Sequence, residues 1–168
     1  MVGLELIRNI LEKNPLLFVS VADKICAMVA ALLQDQNPDM KNAAASFASA
    51  LALSLDTRVG KYLRETISSL TTNLQHQHSK VRKSSLKALK DVCVCKGAET
   101  HTDLCLRQLI FNANDRTLDV RKVLYFDVLP HWLTEMELTC LRVFEKDFLQ
   151  LLLNGMADEQ SEISQKCI

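Results

Sequence analysis

HQHSKVRKSS, residues 76–85, decides the fold because its layout recurs along the chain. The related stretches are DQNPDMKNAA at 35–44, DRTLDVRKVL at 115–124 and DEQSEISQKC at 158–167. Each begins with Asp or His, and five positions later stands an apolar residue: Met40, Val81, Val120 or Ile163. These apolar residues lie 41, 39 and 43 positions apart. A period near 40 residues, with a helix on each side of a short turn, predicts an α-solenoid of the HEAT or armadillo kind.

The segments between these turns carry apolar residues at helical spacing. One helix face is formed by Val59, Leu63, Ile67, Leu70 and Leu74. Because no segment shows sustained alternation of apolar and polar residues, we predict an all-α fold. The expected elements are a lone helix at 3–13, within residues 1–15, and four helix pairs: 16–34 with 38–55, 58–75 with 79–95, 101–112 with 117–133, and 139–155 with 160 onward. As repeats of one array over 1–168, the pairs span 16–55, 58–95, 101–133 and 139–168.

Local signals suggest where several helices begin. Asn37 before Pro38 predicts an N-cap followed by proline at the first helical position. Thr57 is expected to cap the next helix, and Thr100 with Asp103 resembles a capping box.

Pro130 conflicts with the predicted helix 117–133. It has no N–H to donate to the carbonyl of Phe126, so we expect it to kink the last turn or to end the helix near Leu129. The chain opens on a lone helix and closes about two turns into the last one, whereas solenoid ends carry polar capping helices. We therefore expect the array to be part of a longer one.

The acidic and basic residues of the turns form two columns up the predicted stack. The first column contains Asp35, His76, Asp115 and Asp158. The second column, six positions further on, contains Lys41, Arg82 and Arg121, with Ser164 where a fourth base is expected. We expect Arg82 and Arg121 to reach acidic or carbonyl oxygens of adjacent turns, in a ladder worth roughly 0.5–1 kcal/mol per rung if exposed. His76 is expected to weaken this ladder unless it accepts a hydrogen bond.

The charge balance limits the class of partner that we expect, and the cysteines indicate the cellular compartment. Lys plus Arg and Asp plus Glu both number 20, so the formal net charge is zero. Because nucleic acids and anionic membranes attract a basic excess, we expect neither as a partner. The most apolar window, 16–33, holds Asp23 and Lys24 at its centre, which favours a buried helix over a membrane span. Glu5 and Arg8 make the N-terminus unlike a signal peptide, so we expect reduced cysteines and a cytoplasmic protein.

Cys93, Cys95, His101 and Cys105 offer sulfur and nitrogen ligands that zinc accepts. Their spacing is not that of a usual zinc knuckle, and Cys93 and Cys95 on one helix point about 200° apart. We expect these residues to be structural, with no metal and no cofactor. Because nucleophile elbows, glycine-rich phosphate loops and HExxH motifs are missing from the sequence, we also expect no enzyme and no small-molecule substrate.

A basic stripe is the candidate partner site. Lys83, Lys87 and Lys90 stand at i, i+4 and i+7 of one predicted helix. The second helices of a two-helix solenoid line its concave surface, so the stripe can hold an acidic partner segment; a solvated helix face is the alternative. Trp132 and Tyr125 fit core or inter-repeat packing or, alternatively, an interface anchor.

Residues 16–168 resemble HEAT repeats, and a narrower resemblance covers 32–168. It is carried by TISSLTTNLQHQHSKVRKSSLKAL (66–89), IFNANDRTLDVRKV (110–123) and DFLQLLLNGMADEQSEI (147–163), which are similar to the HEAT-repeat dynein axonemal assembly factor 5 family. The family's His-Gln-His turn with Lys-Val-Arg after it corresponds to residues 76–82. The next turn, 115–121, matches in acid and base, whereas Ser164 departs from the expected base.

This resemblance implies a non-enzymatic protein-interaction scaffold in the cytoplasm. Its partners would be dynein chains with chaperones or other assembly factors, during preassembly of dynein arms for the cilium or flagellum. The alternative is a HEAT or armadillo scaffold of another pathway, in nuclear transport or phosphatase regulation. A hypothesis of another class is a metal-dependent domain or enzyme built on the cysteine cluster.

Overall fold

A computed structural model describes residues 2–168, which form helices and no strand. The α-helices are α1 (Val2–Lys13), α2 (Ala22–Leu33), α3 (Pro38–Leu55), α4 (Arg64–Asn73), α5 (Ser79–Val92), α6 (Asp103–Asn112), α7 (Leu118–Lys122), α8 (Leu129–Glu135), α9 (Leu138–Val143), α10 (Glu145–Met156) and α11 (Ser161–Cys167). Short 3-10 segments are Pro15–Val21, Asp56–Arg58, Gly60–Tyr62 and Glu99–His101, and a π segment, Val123–Val128, joins α7 to α8.

The helices stack in two layers. In the first layer α2 packs on α4, α4 on α6, and α6 on α10. In the second layer α1 packs on α3, α3 on α5, α5 on the π segment and α8, and the π segment on α11. Pairs α2–α3, α4–α5 and α10–α11 connect the layers. The predicted all-α solenoid is confirmed.

One continuous apolar core runs between the layers, from Leu11 to Ile163. Its tightest part is α3 against α5, where alanines such as Ala44, Ala45 and Ala48 are fully buried. Small side chains at these positions let the two helix backbones approach closely. Because each pair shares its apolar face with the next, no pair buries its core alone.

The first predicted helix of the array, 16–34, is partly wrong. Pro15–Val21 forms a 3-10 segment, and α-helix begins only at Ala22. The segment leaves Leu16 and Leu17 about two-thirds exposed, at 69% and 67%. The 19-residue stretch Pro15–Leu33 is long and apolar enough to cross a membrane by length and composition, and 28% of it is buried. The core helices of soluble proteins and signal sequences pass the same test. Because its first residues are exposed and not α-helical, the stretch is not simply the buried helix that the sequence predicted.

The next helix begins later than predicted because the chain first passes close to a loop. Thr57 lies in a 3-10 segment and caps no helix, and α4 starts at Arg64. Gly60 lies so close to the loop that a Cβ built on it would be 1.9 Å from the Lys96 carbonyl oxygen. Two 3-10 turns carry the chain around this contact before the helix can form.

Of the two other predicted helix caps, one is confirmed and one is wrong. The Asn37 prediction is confirmed, because its side-chain oxygen accepts a 2.8 Å hydrogen bond from the Asp39 N–H. The predicted capping box at Thr100 and Asp103 is wrong. Helix α6 starts at Asp103 after a 3-10 turn, and its N-terminus has no side-chain cap.

Pro130 does not end its helix. The α7, π and α8 segments run without a break from Leu118 to Glu135. The π segment lies immediately before α8, and the N–H of Leu129 bonds the carbonyl of Leu124 five residues back. This wider turn accommodates the proline ring and its missing N–H, so the predicted end near Leu129 is wrong. The predicted helix 139–155 also differs, since it is split at Phe144 into α9 and α10.

Candidate functional site

The four intra-repeat turns share one hydrogen bond. In each, the side chain that opens the turn accepts from the backbone N–H two residues later. The bonds are Asn37 N–H to Asp35 Oδ1 at 2.7 Å, His78 N–H to His76 Nδ1 at 3.1 Å, Thr117 N–H to Asp115 Oδ1 at 2.8 Å, and Gln160 N–H to Asp158 Oδ1 at 2.8 Å. His76 thus accepts a hydrogen bond in the place of a carboxylate, so its Nδ1 carries no proton.

Arg82 joins the second turn to the third. Its Nε and Nη2 form a two-pronged ion pair with the Asp115 carboxylate, at 2.6 and 2.8 Å. Its Nη1 donates to the His76 carbonyl of its own turn at 2.8 Å. The Arg82 and Asp115 side chains are both only 6% exposed. Burial raises the pKa of Asp115, but hydrogen bonds from Arg82 and Thr117 outweigh it and leave the pKa below its usual value.

Arg121 repeats this arrangement one turn further along. Its Nε bonds the Asp158 carboxylate at 2.8 Å, and its Nη1 donates to the Asp115 carbonyl at 2.8 Å. Hydrogen bonding to Asp158 raises the pKa of the Arg121 guanidinium, although burial opposes this. Both rungs are buried, so the magnitude expected for exposed pairs does not apply to them. Removing one partner of such a pair leaves an uncompensated buried charge and costs about 3–5 kcal/mol.

The first rung is built differently. Lys41 Nζ donates to the Leu33 carbonyl at 2.9 Å and to Asn73 Oδ1 at 2.8 Å. Within residues 2–168 it has no hydrogen bond to His76. Burial lowers the pKa of Lys41, although the charge of Asp35 opposes this. The lysine is therefore held by neutral oxygens, where Arg82 and Arg121 each hold a carboxylate.

A column of asparagines was missed by the sequence reasoning. Asn73 Nδ2 donates to the Leu33 carbonyl at 2.8 Å, and Asn112 Nδ2 donates to the Leu74 carbonyl at 3.1 Å. Both side chains are buried and close the end of the preceding first-layer helix. Their signal is in the sequence, because each stands three residues before the first residue of its turn.

The basic stripe lies on the second-layer surface, together with carboxylates from neighbouring helices. We call Lys80, Lys83, Lys87 and Lys90 the lysine surface. Three of these lysines have ion pairs: Lys80 with Asp39 at 3.7 Å, Lys83 with Asp119 at 2.9 Å, and Lys90 with Asp91 at 3.3 Å. Lys87 is exposed and has no ion pair within residues 2–168. In the part of the chain that the structure describes, the surface is thus largely neutralised, and Lys87 is its lysine without an ion pair.

The cysteine cluster does not converge on one point. Cys93 and Cys105 have their sulfurs 4.0 Å apart, but Cys95 Sγ lies against the Asp56 carbonyl and His101 against Thr100. No group of three or more His, Cys, Asp or Glu side chains suited to a metal occurs in residues 2–168. The hydrogen bond with Cys105 and burial raise the pKa of Cys93, and burial raises that of Cys95 to about 12. Protonated thiols of this kind are poor nucleophiles.

Trp132 and Tyr125 pack between neighbouring repeats. The Trp132 indole N–H donates to the Lys90 carbonyl at 3.1 Å, and its ring meets Phe148 edge-on at 6.5 Å. The Tyr125 hydroxyl donates to the Leu151 carbonyl at 3.1 Å. Both rings are almost completely buried, so they are inter-repeat packing residues and not interface anchors.

Comparison with known proteins agrees with this architecture. No curated protein and no solved structure matches the chain. A family model described as "Dynein axonemal assembly factor 5-like, TPR repeats" matches residues 1–168. The description names tetratricopeptide repeats, typically 34 residues long, whereas the turns of this chain recur every 39 to 43 residues, the spacing of HEAT and armadillo repeats. A helical-repeat family of this kind suits protein–protein interaction. The chain belongs to the dynein axonemal assembly factor 5-like repeat family.

Proposed function

We propose that the chain is a non-enzymatic scaffold in the cytoplasm that brings dynein chains and chaperones together while axonemal dynein arms preassemble. The family match over the whole of residues 1–168 is the observation that carries the proposal. The architecture supports it, because a two-layer solenoid presents a long surface suited to many shallow contacts. Fold alone does not fix the partner, so the dynein role rests on the family.

Within this proposal the lysine surface contributes to partner binding. An acidic segment would meet Lys87 first, because this cation is exposed and has no ion pair in the described part of the chain. Lys83 can exchange its exposed partner Asp119 for a carboxylate of the bound protein. Complementary charge of this kind mainly raises the association rate and selects the partner.

The test is quantitative recovery of dynein chains with the tagged full-length protein from the cytoplasm of ciliated cells. Three forms are compared by mass spectrometry: wild type, Lys87→Glu, and Lys24→Glu, which reverses an exposed lysine on α2 in the other layer. Wild type and Lys24→Glu should recover dynein heavy and intermediate chains with chaperones. Lys87→Glu should recover several-fold less.

Two results would count against the proposal. Dynein chains at the level of an untagged control would remove the dynein role, and transport cargo or phosphatase subunits in their place would favour the other pathways. Equal recovery by all three forms would leave the dynein role and remove the lysine surface from it.

A further inference from the structure

A groove at the loop edge of the solenoid has apolar walls and an acidic rim. It lies between the 3-10 turn Glu99–His101 and α9, and its volume is about 490 Å³. We call it the acid-rimmed groove. It is lined by Glu99, Thr100, Glu137, Thr139, Cys140, Val143 and Phe144.

The walls of the groove are unusually exposed for apolar side chains. Val143 is 75% exposed, while Phe144 and Cys140 are half-buried. The Cys140 thiol lies 3.9 Å from the Glu99 carbonyl, so it ties α9 to the turn across the groove. Covering Val143 and Phe144 removes apolar surface from water, which favours an apolar occupant.

The rim selects the charge of the occupant. Glu137 is exposed and has no ion pair within residues 2–168, and no Lys or Arg lines the groove. A backbone N–H of Gly97 donates to the Glu99 carboxylate and fixes its position. Two carboxylates without a lining cation attract a positive group and repel an anionic lipid surface.

We propose that the acid-rimmed groove binds a segment of a partner protein in which a large apolar side chain stands next to Lys or Arg. The apolar side chain packs on Val143 and Phe144, and the cation lies between Glu99 and Glu137. This surface is separate from the lysine surface, which attracts the opposite charge. The inference does not depend on the dynein role.

The test is selection of peptides from a displayed library of random 12-residue sequences on the purified protein. Recovered peptides are then measured by fluorescence polarisation against four variants. Val143→Asp and Glu137→Lys alter the groove, while Leu149→Asp and Glu65→Lys make the same changes at exposed positions on α10 and α4. All four sites are on the surface, and a thermal melt confirms that each variant is folded.

The expected peptides carry Leu, Ile, Met or Phe beside Lys or Arg. They should lose at least tenfold in affinity for Val143→Asp and for Glu137→Lys, and less than twofold for the two control variants. Peptides without that pattern would overturn the proposal, and so would equal binding to groove and control variants.

Discussion

The two parts of the turn ladder hold their positive charges in different ways. Arg82 and Arg121 each bind a buried carboxylate of the next turn and a carbonyl of their own turn. Lys41, at the start of the ladder, binds a carbonyl and an asparagine oxygen. The column that supplies Asp115 and Asp158 to the arginines has His76 at the corresponding position for Lys41, and the two side chains form no hydrogen bond in the described part of the chain.

The difference shows that the two columns change together. Where His76 stands in place of an aspartate, Lys41 stands in place of an arginine. A guanidinium has five donors in a plane and can bond two turns at once, whereas an ammonium has three donors around one point. Lys41 therefore suits neutral oxygens close to one another, and His76 adds no charge to the turn. The upper rungs are charged clamps, and the first rung is a hydrogen-bonded corner.

Loss of an arginine rung should have the largest effect. Arg82→Ala leaves Asp115 buried without its cation and removes the bonds to two carbonyls. We expect the free energy of unfolding to fall by about 3–5 kcal/mol, measured by urea denaturation followed by circular dichroism. A loss below about 1 kcal/mol would mean that the rung is no clamp.

Loss of an asparagine should come next. Asn112→Ala leaves the Leu74 carbonyl without its side-chain donor. The expected loss of unfolding free energy is about 1–3 kcal/mol, the cost of an unsatisfied buried polar group. Arg107→Ala on the same helix is the control, since that side chain is exposed and has no hydrogen bond in the described part of the chain. Equal losses in the two variants would speak against the asparagine column.

Loss of Lys41 should cost less than either. In Lys41→Ala the Leu33 carbonyl keeps the Asn73 donor, and only Asn73 Oδ1 loses the donor that it has in the described part of the chain. We expect a loss of about 1 kcal/mol in the same denaturation experiment. A loss as large as that of Arg82→Ala would erase the contrast between the two parts of the ladder.

Replacing His76 by aspartate should convert the hydrogen-bonded first rung into a charged one like those of Arg82 and Arg121. In His76→Asp the new side chain can accept the His78 N–H as Asp115 and Asp158 do in their turns, and it lies near Lys41 and Arg82. We expect a gain of about 0.5–1 kcal/mol at pH 7. Destabilisation by this substitution would show that the corner needs the imidazole.

The smallest expected effect is on pH dependence. Burial, with the nearby charges of Lys41, His78 and Arg82, lowers the pKa of His76. The unfolded chain then binds more protons than the folded one, so stability falls as pH drops through the unfolded value, about 6.5. His76→Asn keeps the turn acceptor without titrating. It should weaken the fall in stability between pH 7.5 and 5.5, measured by urea denaturation at each pH.

The sequence predicted the features that repeat and missed those that depend on one contact. The period near 40 residues predicted the stacked helix pairs and the columns that contain Arg82 and Asp115. It could do so because stacking brings equivalent positions of successive repeats together. The asparagine column has the same period and could have been found. The late start of α4 depends on the contact of Gly60 with Lys96, which no local pattern encodes. The π segment before Pro130 is a tertiary compromise of the same kind.

Site predictions divide in a similar way. The cysteines lie close along the chain, but α5 ends before Cys95. In the loop that follows, Cys95 contacts Asp56 and His101 contacts Thr100, so the two side chains do not meet. The acid-rimmed groove joins Glu99 to Val143, residues far apart in sequence, so spacing could not reveal it. The lysine surface was visible as a stripe, whereas two of its carboxylate partners, Asp39 and Asp119, come from neighbouring helices.

The most direct test of the ladder is a double-mutant cycle in each part. One cycle combines Arg82→Met with Asp115→Asn, and the other combines Lys41→Met with His76→Asn, all measured by urea unfolding at pH 7. We predict a coupling free energy above about 2 kcal/mol for the first pair and close to zero for the second. Equal coupling in the two cycles would contradict the account of charged clamps above a neutral corner.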